Sequence, residues 1–164
     1  MANEHLETYL NDHLAGSVVA IELMKNLESV YAETAIADFI KRLRADVEMD
    51  QQELQNLMSS LEISESRTRK ASAWFTEKFT ELKLRVDDSK SGDLRLFESL
   101  EALSLGIEGK RSLWLALAAA AEVSPALRKV DYESLKQRAE EQRERVETKR
   151  LEVARGALQP QPSP

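Results

Sequence analysis

Metal and proton chemistry in a helical protein needs imidazoles, thiols or carboxylates that converge at helical spacing, and this 164-residue chain offers a lopsided set. It has two histidines, His5 and His13, and no cysteine, against 29 Asp and Glu. The missing thiol excludes disulfides, thiolate zinc sites and cysteine nucleophiles. His13 and Ser17 lie one helical turn apart and could suggest a nucleophile with its base. No Gly-rich elbow or helix N-terminus surrounds them, so packing is the expected role of both. Carboxylates alone can hold magnesium, calcium or manganese. Glu22, Glu48, Asp50, Glu101, Glu108 and Glu140 are the acids available for such an unconventional centre.

Four polar residues interrupt otherwise apolar stripes: Ser17, Asp50, Lys110 and Gln142. A buried, unpaired carboxylate is costly, so Asp50 needs partners, and Lys110 and Gln142 are its natural ones. The expectation is a buried polar cluster of these four that fixes the register of the helices, a use attested in coiled coils.

The elements that must position them follow from period. Apolar residues recur at alternating three and four spacing, the pattern of helices packed along one seam. From an N-cap at Asn3 to about Tyr31 the seam is Leu10, Leu14, Ser17, Ile21 and Met24. From about Ala35 to Leu61 it is Ile36, Ile40, Leu43, Val47, Asp50, Leu54, Leu57 and Leu61. Asp93 caps a third helix with Leu96, Leu100, Leu103, Ile107, Lys110, Trp114, Leu117 and Ala121 on one stripe. Ser124-Pro125 ends it near Val123 and restarts a short turn. Asp131 caps a fourth, with Tyr132, Leu135, Ala139, Gln142, Val146 and Val153 facing inward.

The connection of roughly 30 residues between the second and third helices is too long for a plain turn in a compact domain. Its middle, 66–84, has Ala71, Phe75, Phe79 and Leu82 at helical spacing, which predicts a shorter helix crossing the bundle, with Trp74 on the same core-facing side. Gly106 and Gly109 cost helix propensity of about 1 kcal/mol each. Their presence predicts that the third helix packs tightly there, against the crossover or another subunit, and the alanine run Ala118 to Ala121 predicts the same for its far end. The charged stretch 136–150 is mixed in sign, with Glu141 and Arg145 one turn apart, and reads as a solvated helix face. Its sharper alternative is a protruding helix that docks on another protein.

Composition narrows the class. Formal charge is −6, with 23 Lys and Arg. That balance argues against a nucleic-acid partner, which needs a concentrated basic face. No apolar run reaches the roughly 18 to 20 residues of a membrane span. The start, Met-Ala-Asn-Glu-His, has no secretory pattern, so a cytoplasmic location is expected. Residues 1–158 read as one all-α domain and 159–164 as a disordered Pro/Gln tail.

Two long helices, a crossover and two more helices are the layout of the ferritin-like superfamily. Leu10-Asn11-Asp12-His13-Leu14-Ala15-Gly16-Ser17-Val18-Val19-Ala20-Ile21 resembles the first helix of bacterioferritins, whose acidic ligand would fall on Ser17. Glu48-Met49-Asp50-Gln51 resembles the family's Glu-x-x-His ligand motif with Gln51 in place of histidine. The downstream leucines support a rival register on Val47 and Asp50. Ala139-Glu140-Glu141-Gln142 resembles the second such motif, with Ala139 at the Glu position and Gln142 at the His position. The resemblance implies an up-down four-helix bundle with a crossover helix, in which a di-iron centre is the family's working part. Such a centre needs about four carboxylates and two imidazoles converging inside the bundle. Two histidines near the beginning cannot supply them. The expectation is therefore a protein without metal or other cofactor and without catalytic residues, binding or scaffolding in role, and a homodimer that also takes a protein partner. A ferritin-like oxidase or iron-handling protein with a carboxylate-only site is the alternative.

Overall fold

The computed structural model describes residues 3–65, 77 and 92–160. Among these the chain is helical, without a strand. Four long helices follow in order: α1 Glu4–Val30, α2 Ala35–Ser60, α3 Gly92–Ala121 and α4 Tyr132–Ala157, with a 3-10 turn at Pro125–Leu127 before α4. At 1.5 Å per residue each is roughly 40 Å long. The expected crossover helix at 66–84 and the last residues of the tail lie outside the described residues.

Local chemistry sets the helix ends. Asn3 accepts from the His5 amide, Thr34 from Ala37 and Asp131 from Ser134, so three helices begin on a side-chain cap. At the end of α2 the Ile63 amide donates to the Met58 carbonyl at 2.9 Å and the Glu62 amide to Ser59 at 3.1 Å. Glu62 takes the left-handed conformation, φ 57°. This is a Schellman motif whose left-handed position carries glutamate instead of glycine, with buried Ile63 and Met58 as its apolar contact. The end of α3 is closed from outside, because the Arg128 guanidinium donates to the carbonyls of Ala121 and Glu122, each at 2.9 Å.

The neighbouring pairs are α1/α2, α2/α4, α4/α3 and α3/α1. Tyr31 Oη donates to the Gly92 carbonyl at 2.9 Å, so α3 starts where α1 ends. Asn11 Nδ2 donates to the Ser64 carbonyl at 3.2 Å, so the chain beyond α2 lies by the first half of α1. The end of α2 and the start of α3 thus sit at opposite ends of the bundle. All four neighbouring pairs run antiparallel, and α2 and α3 lie parallel across the diagonal.

The interior has two apolar clusters. One gathers Met24, Leu27, Ile40, Leu43, Leu100 and Val146 with their neighbours. The other gathers Leu10, Leu57, Met58, Trp114, Leu117 and Leu135. Trp114 is 1% exposed beside Tyr132, whose hydroxyl donates to the Leu127 carbonyl at 2.8 Å. The buried faces are wider than single seams. Leu23, Leu27, Met58 and Leu113 are also buried, because each helix of a four-helix bundle touches two neighbours. Ile36, Leu61, Ala121 and Val153, near helix ends, are only partly buried.

A Cβ built on Gly106 or on Gly109 meets nothing within 4 Å, so no described helix approaches them, and the crossover expected to pack there lies outside the described residues. Arg145 turns to Asp46 of α2 at 2.5 Å, not to Glu141, which accepts from Gln137 at 3.1 Å. A charge on a packed helix meets the neighbouring helix as readily as its own next turn. Gly106→Ala and Gly109→Ala should each raise stability by about 1 kcal/mol through helix propensity. Urea denaturation measures this, and a loss of stability would mean that something packs against that flank.

Candidate functional site

The middle of the bundle, between the two apolar clusters, is polar. Asp50 holds the inward position that α2's apolar stripe assigns it and is 1% exposed. Lys110 reaches it from α3 across the diagonal, and its Nζ lies 2.5 Å from Asp50 Oδ2. Gln142 of α4 bridges the pair. Its Nε2 donates to Asp50 Oδ2 at 2.8 Å, and its Oε1 accepts from Lys110 Nζ. Its amide accepts from the ammonium and donates to the carboxylate at once. Arg138, one turn before Gln142, brings Nη2 to 2.5 Å from Asp50 Oδ1. That contact lies off the line of a hydrogen bond, so Oδ1 has a neutralising charge but no donor. Burial holds Lys110 below the ordinary lysine range, with Asp50 pulling it back up and Arg138 pushing it further down.

The structure therefore brings Asp50, Lys110 and Gln142 together and leaves Ser17 outside the cluster. Ser17 Oγ donates to the Leu14 carbonyl at 2.7 Å and accepts from Gln51 Nε2 at 2.7 Å. A short hydroxyl bonded to its own helix and to the α1-facing side of α2 does not reach the axis. Arg138 is the member that sequence reading missed; its signal was the one-turn spacing to Gln142. His13 and Ser17 form no dyad. His13 stands edge-on to the Tyr9 ring at 4.7 Å between centroids, and Ser17 is spent on Leu14 and Gln51.

Of the two registers open on α2, the inward one is Val47 and Asp50, both buried. Glu48 instead faces Arg44, which holds it at 2.7 Å and Glu28 of α1 at 2.5 Å. On α4 the inward pair is Ala139 and Gln142. The acids considered for a carboxylate centre are dispersed among cations. Glu22 pairs with Lys25, Glu101 with Arg150, Glu108 with Arg111 and Glu140 with Arg111, all at 3.0 to 3.1 Å. Among the described residues no three of His, Asp and Glu are grouped to hold a metal ion. Glu108, Arg111, Glu140, Arg143, Glu144 and Glu147 instead line an open groove of about 560 Å³ between α3 and α4. Glu147 is held below the ordinary carboxyl range by hydrogen bonds, that from Arg150 first and that from Ser104 after it.

No helix among the described residues is long and apolar enough to cross a membrane. No protein-family model, curated protein or solved structure matches the chain.

The axial cluster offers no nucleophile free to react. Its ammonium is bound to a carboxylate and an amide, and its carboxylate is compensated by two cations. What it does is fix α2, α3 and α4 in mutual register. Asp50→Ala should cost about 3–5 kcal/mol, because it leaves Lys110 buried without its counter-charge. The double variant Asp50→Leu with Lys110→Met should lose less, since an apolar pair needs no compensation. Urea denaturation of the three proteins tests the coupling, and equal losses would disprove it.

Burial also holds His13 below its ordinary value of 6.5, against a weaker upward pull from Asp12. The unfolded chain takes up this proton more readily than the folded one. Its contribution to stability is complete above 6.5 and is lost as pH falls through the depressed value. Stability of the native chain, compared with His13→Gln, should drop more steeply between pH 7 and pH 5.

Proposed function

We propose that this chain is a ferritin-like helical bundle that has lost its di-iron centre and serves as a non-catalytic binding or scaffolding protein, working as a homodimer. One observation carries the reading: at mid-bundle, on the axis where a di-iron centre would gather its ligands, a lysine ammonium sits against Asp50 and Gln142. Ala139 and Gln142 stand at the Glu and His positions of the second ligand motif, and Val47 and Asp50 at those of the first. The four neighbouring antiparallel pairs and the parallel diagonal of α2 and α3 support the same topology. A fixed ammonium balances the carboxylate in place of a dissociable cation, and no imidazole is at hand. Fold-level likeness alone assigns no activity, so the role rests on this substitution at the axis.

A second copy is the partner we assign to the outer face of α3, where Leu105, Ser112, Ala116, Ala119 and Val123 are exposed on one stripe with Gly109. The protein purified after growth with added iron and manganese should contain far less than one metal per chain. Near-stoichiometric iron or manganese by elemental analysis would overturn the loss of the centre. Light scattering should give a dimer that Leu105→Glu converts to a monomer; a monomeric native chain would refute the pairing.

A further inference from the structure

A second buried cation, away from the axis, forms no ion pair among the described residues. Arg95, in the first turn of α3 as described, is 5% exposed. Its Nη2 donates to Asn26 Oδ1 of α1 at 2.9 Å, and its Nε has no partner. Asn26 is neutral, so that bond orients the guanidinium without compensating it. One turn further along the same flank of α3, Ser99 is fully buried, and its hydroxyl also has no partner. A serine inside a helix ordinarily donates to a carbonyl of the preceding turn. Here it does not.

The nearby polar groups do not answer the charge. Tyr31, which feels the charges of both Arg95 and Asp93, uses its hydroxyl on the Gly92 carbonyl. The Asp93 carboxylate turns towards α4, with Oδ2 3.5 Å from where a Cβ on Gly156 would stand. Among the described residues no carboxylate forms an ion pair with Arg95. A guanidinium stays charged at any ordinary pH, and a buried charge without a partner is too costly to leave so. The missing component is an anion.

We propose that Arg95, Asn26 and Ser99 form an oxyanion site on the α1–α3 flank, and that its ligand is a phosphate group, free or as a monoester. The guanidinium fork suits two oxygens of such a group, and Asn26 holds the fork in place. The Ser99 hydroxyl adds an uncharged donor. The site lies apart from the axial cluster, so it stands or falls independently of the metal question.

The test uses the full chain and two probes, inorganic phosphate and phenyl phosphate, with sodium chloride at matched ionic strength as reference. Phosphate at tenfold excess over its dissociation constant should raise Tm by about 3 to 6 °C. Arg95→Lys should weaken binding by about tenfold or more, since a single ammonium cannot make the paired contact. Ser99→Ala should weaken it several-fold while circular dichroism stays native, which keeps the test valid should Arg95→Lys fold poorly. Tighter binding of phenyl phosphate than of phosphate would identify a monoester as the ligand; the reverse would identify the free ion. Equal responses to phosphate and chloride would overturn the proposal.

Discussion

A carboxylate at 1% exposure in the middle of a helical bundle cannot stand alone, and most of the arrangement follows from supplying Asp50 with partners. Its charge needs a cation, and the one that α3 turns inward at its level is Lys110, across the diagonal, while Arg111 beside it pairs with Glu108 and Glu140. A four-carbon stem can span that distance through apolar surroundings. The ammonium then has donors to spare, and Gln142 of α4 takes one while returning an amide proton to Asp50. Arg138 completes the charge from the same helix. Three helices are thereby locked in rotation and in height, since a slip of one residue turns any of these side chains by about 100° away from the others. The two apolar clusters lie on either side of this layer. Either would tolerate sliding better than the polar layer does, because apolar contact is not directional.

The helices and their ends were largely legible in the sequence because their signals are local. Asn3 and Asp131 are capping residues that precede periodic runs, and Pro125 can only interrupt one. The axial trio was legible for a related reason: Asp50, Lys110 and Gln142 each break an apolar stripe, and few residues could answer a buried acid. Ser17 broke its stripe in the same way, but its short hydroxyl donates within α1 and accepts from Gln51 of α2, so it stays away from the axis. Glu48 and Asp50 were ambiguous because positions two apart on a helix differ by about 160°, and periodicity places only one inside. Burial of Val47 settles it. Arg95 and Ser99 were not legible, since they lie on the flank turned towards a second neighbour and a one-seam reading leaves that flank out.

Buried charge here favours specificity over raw stability. Replacing an internal ion pair with well-packed apolar groups is often neutral or stabilising, whereas removing one partner is not. An Asp–Lys–Gln layer therefore confers little net free energy on the correct register but strongly penalises every other. The salt bridges between α4 and its neighbours act differently. Arg145 with Asp46 and Arg150 with Glu101 are solvated, at 3.1 Å or less, and contribute at most about 1 kcal/mol each. They explain why so charged a helix packs without repulsion, and they cannot have selected its register.

α1 stands apart from this scheme. It sends no side chain to the Asp50 cluster and must be oriented by other means. Its contacts lie along its length: Asn11 to the segment after α2, Ser17 to Gln51, Glu28 to Arg44, Asn26 to Arg95 and Tyr31 to the start of α3. Ties of this kind fix a helix by its separate points, so each can yield without freeing the others, whereas the axial layer holds or fails as a unit. The least satisfied of them is Asn26 with Arg95, a neutral acceptor facing a buried cation. Whatever compensates Arg95 therefore bears directly on how firmly α1 is joined to the α3 side.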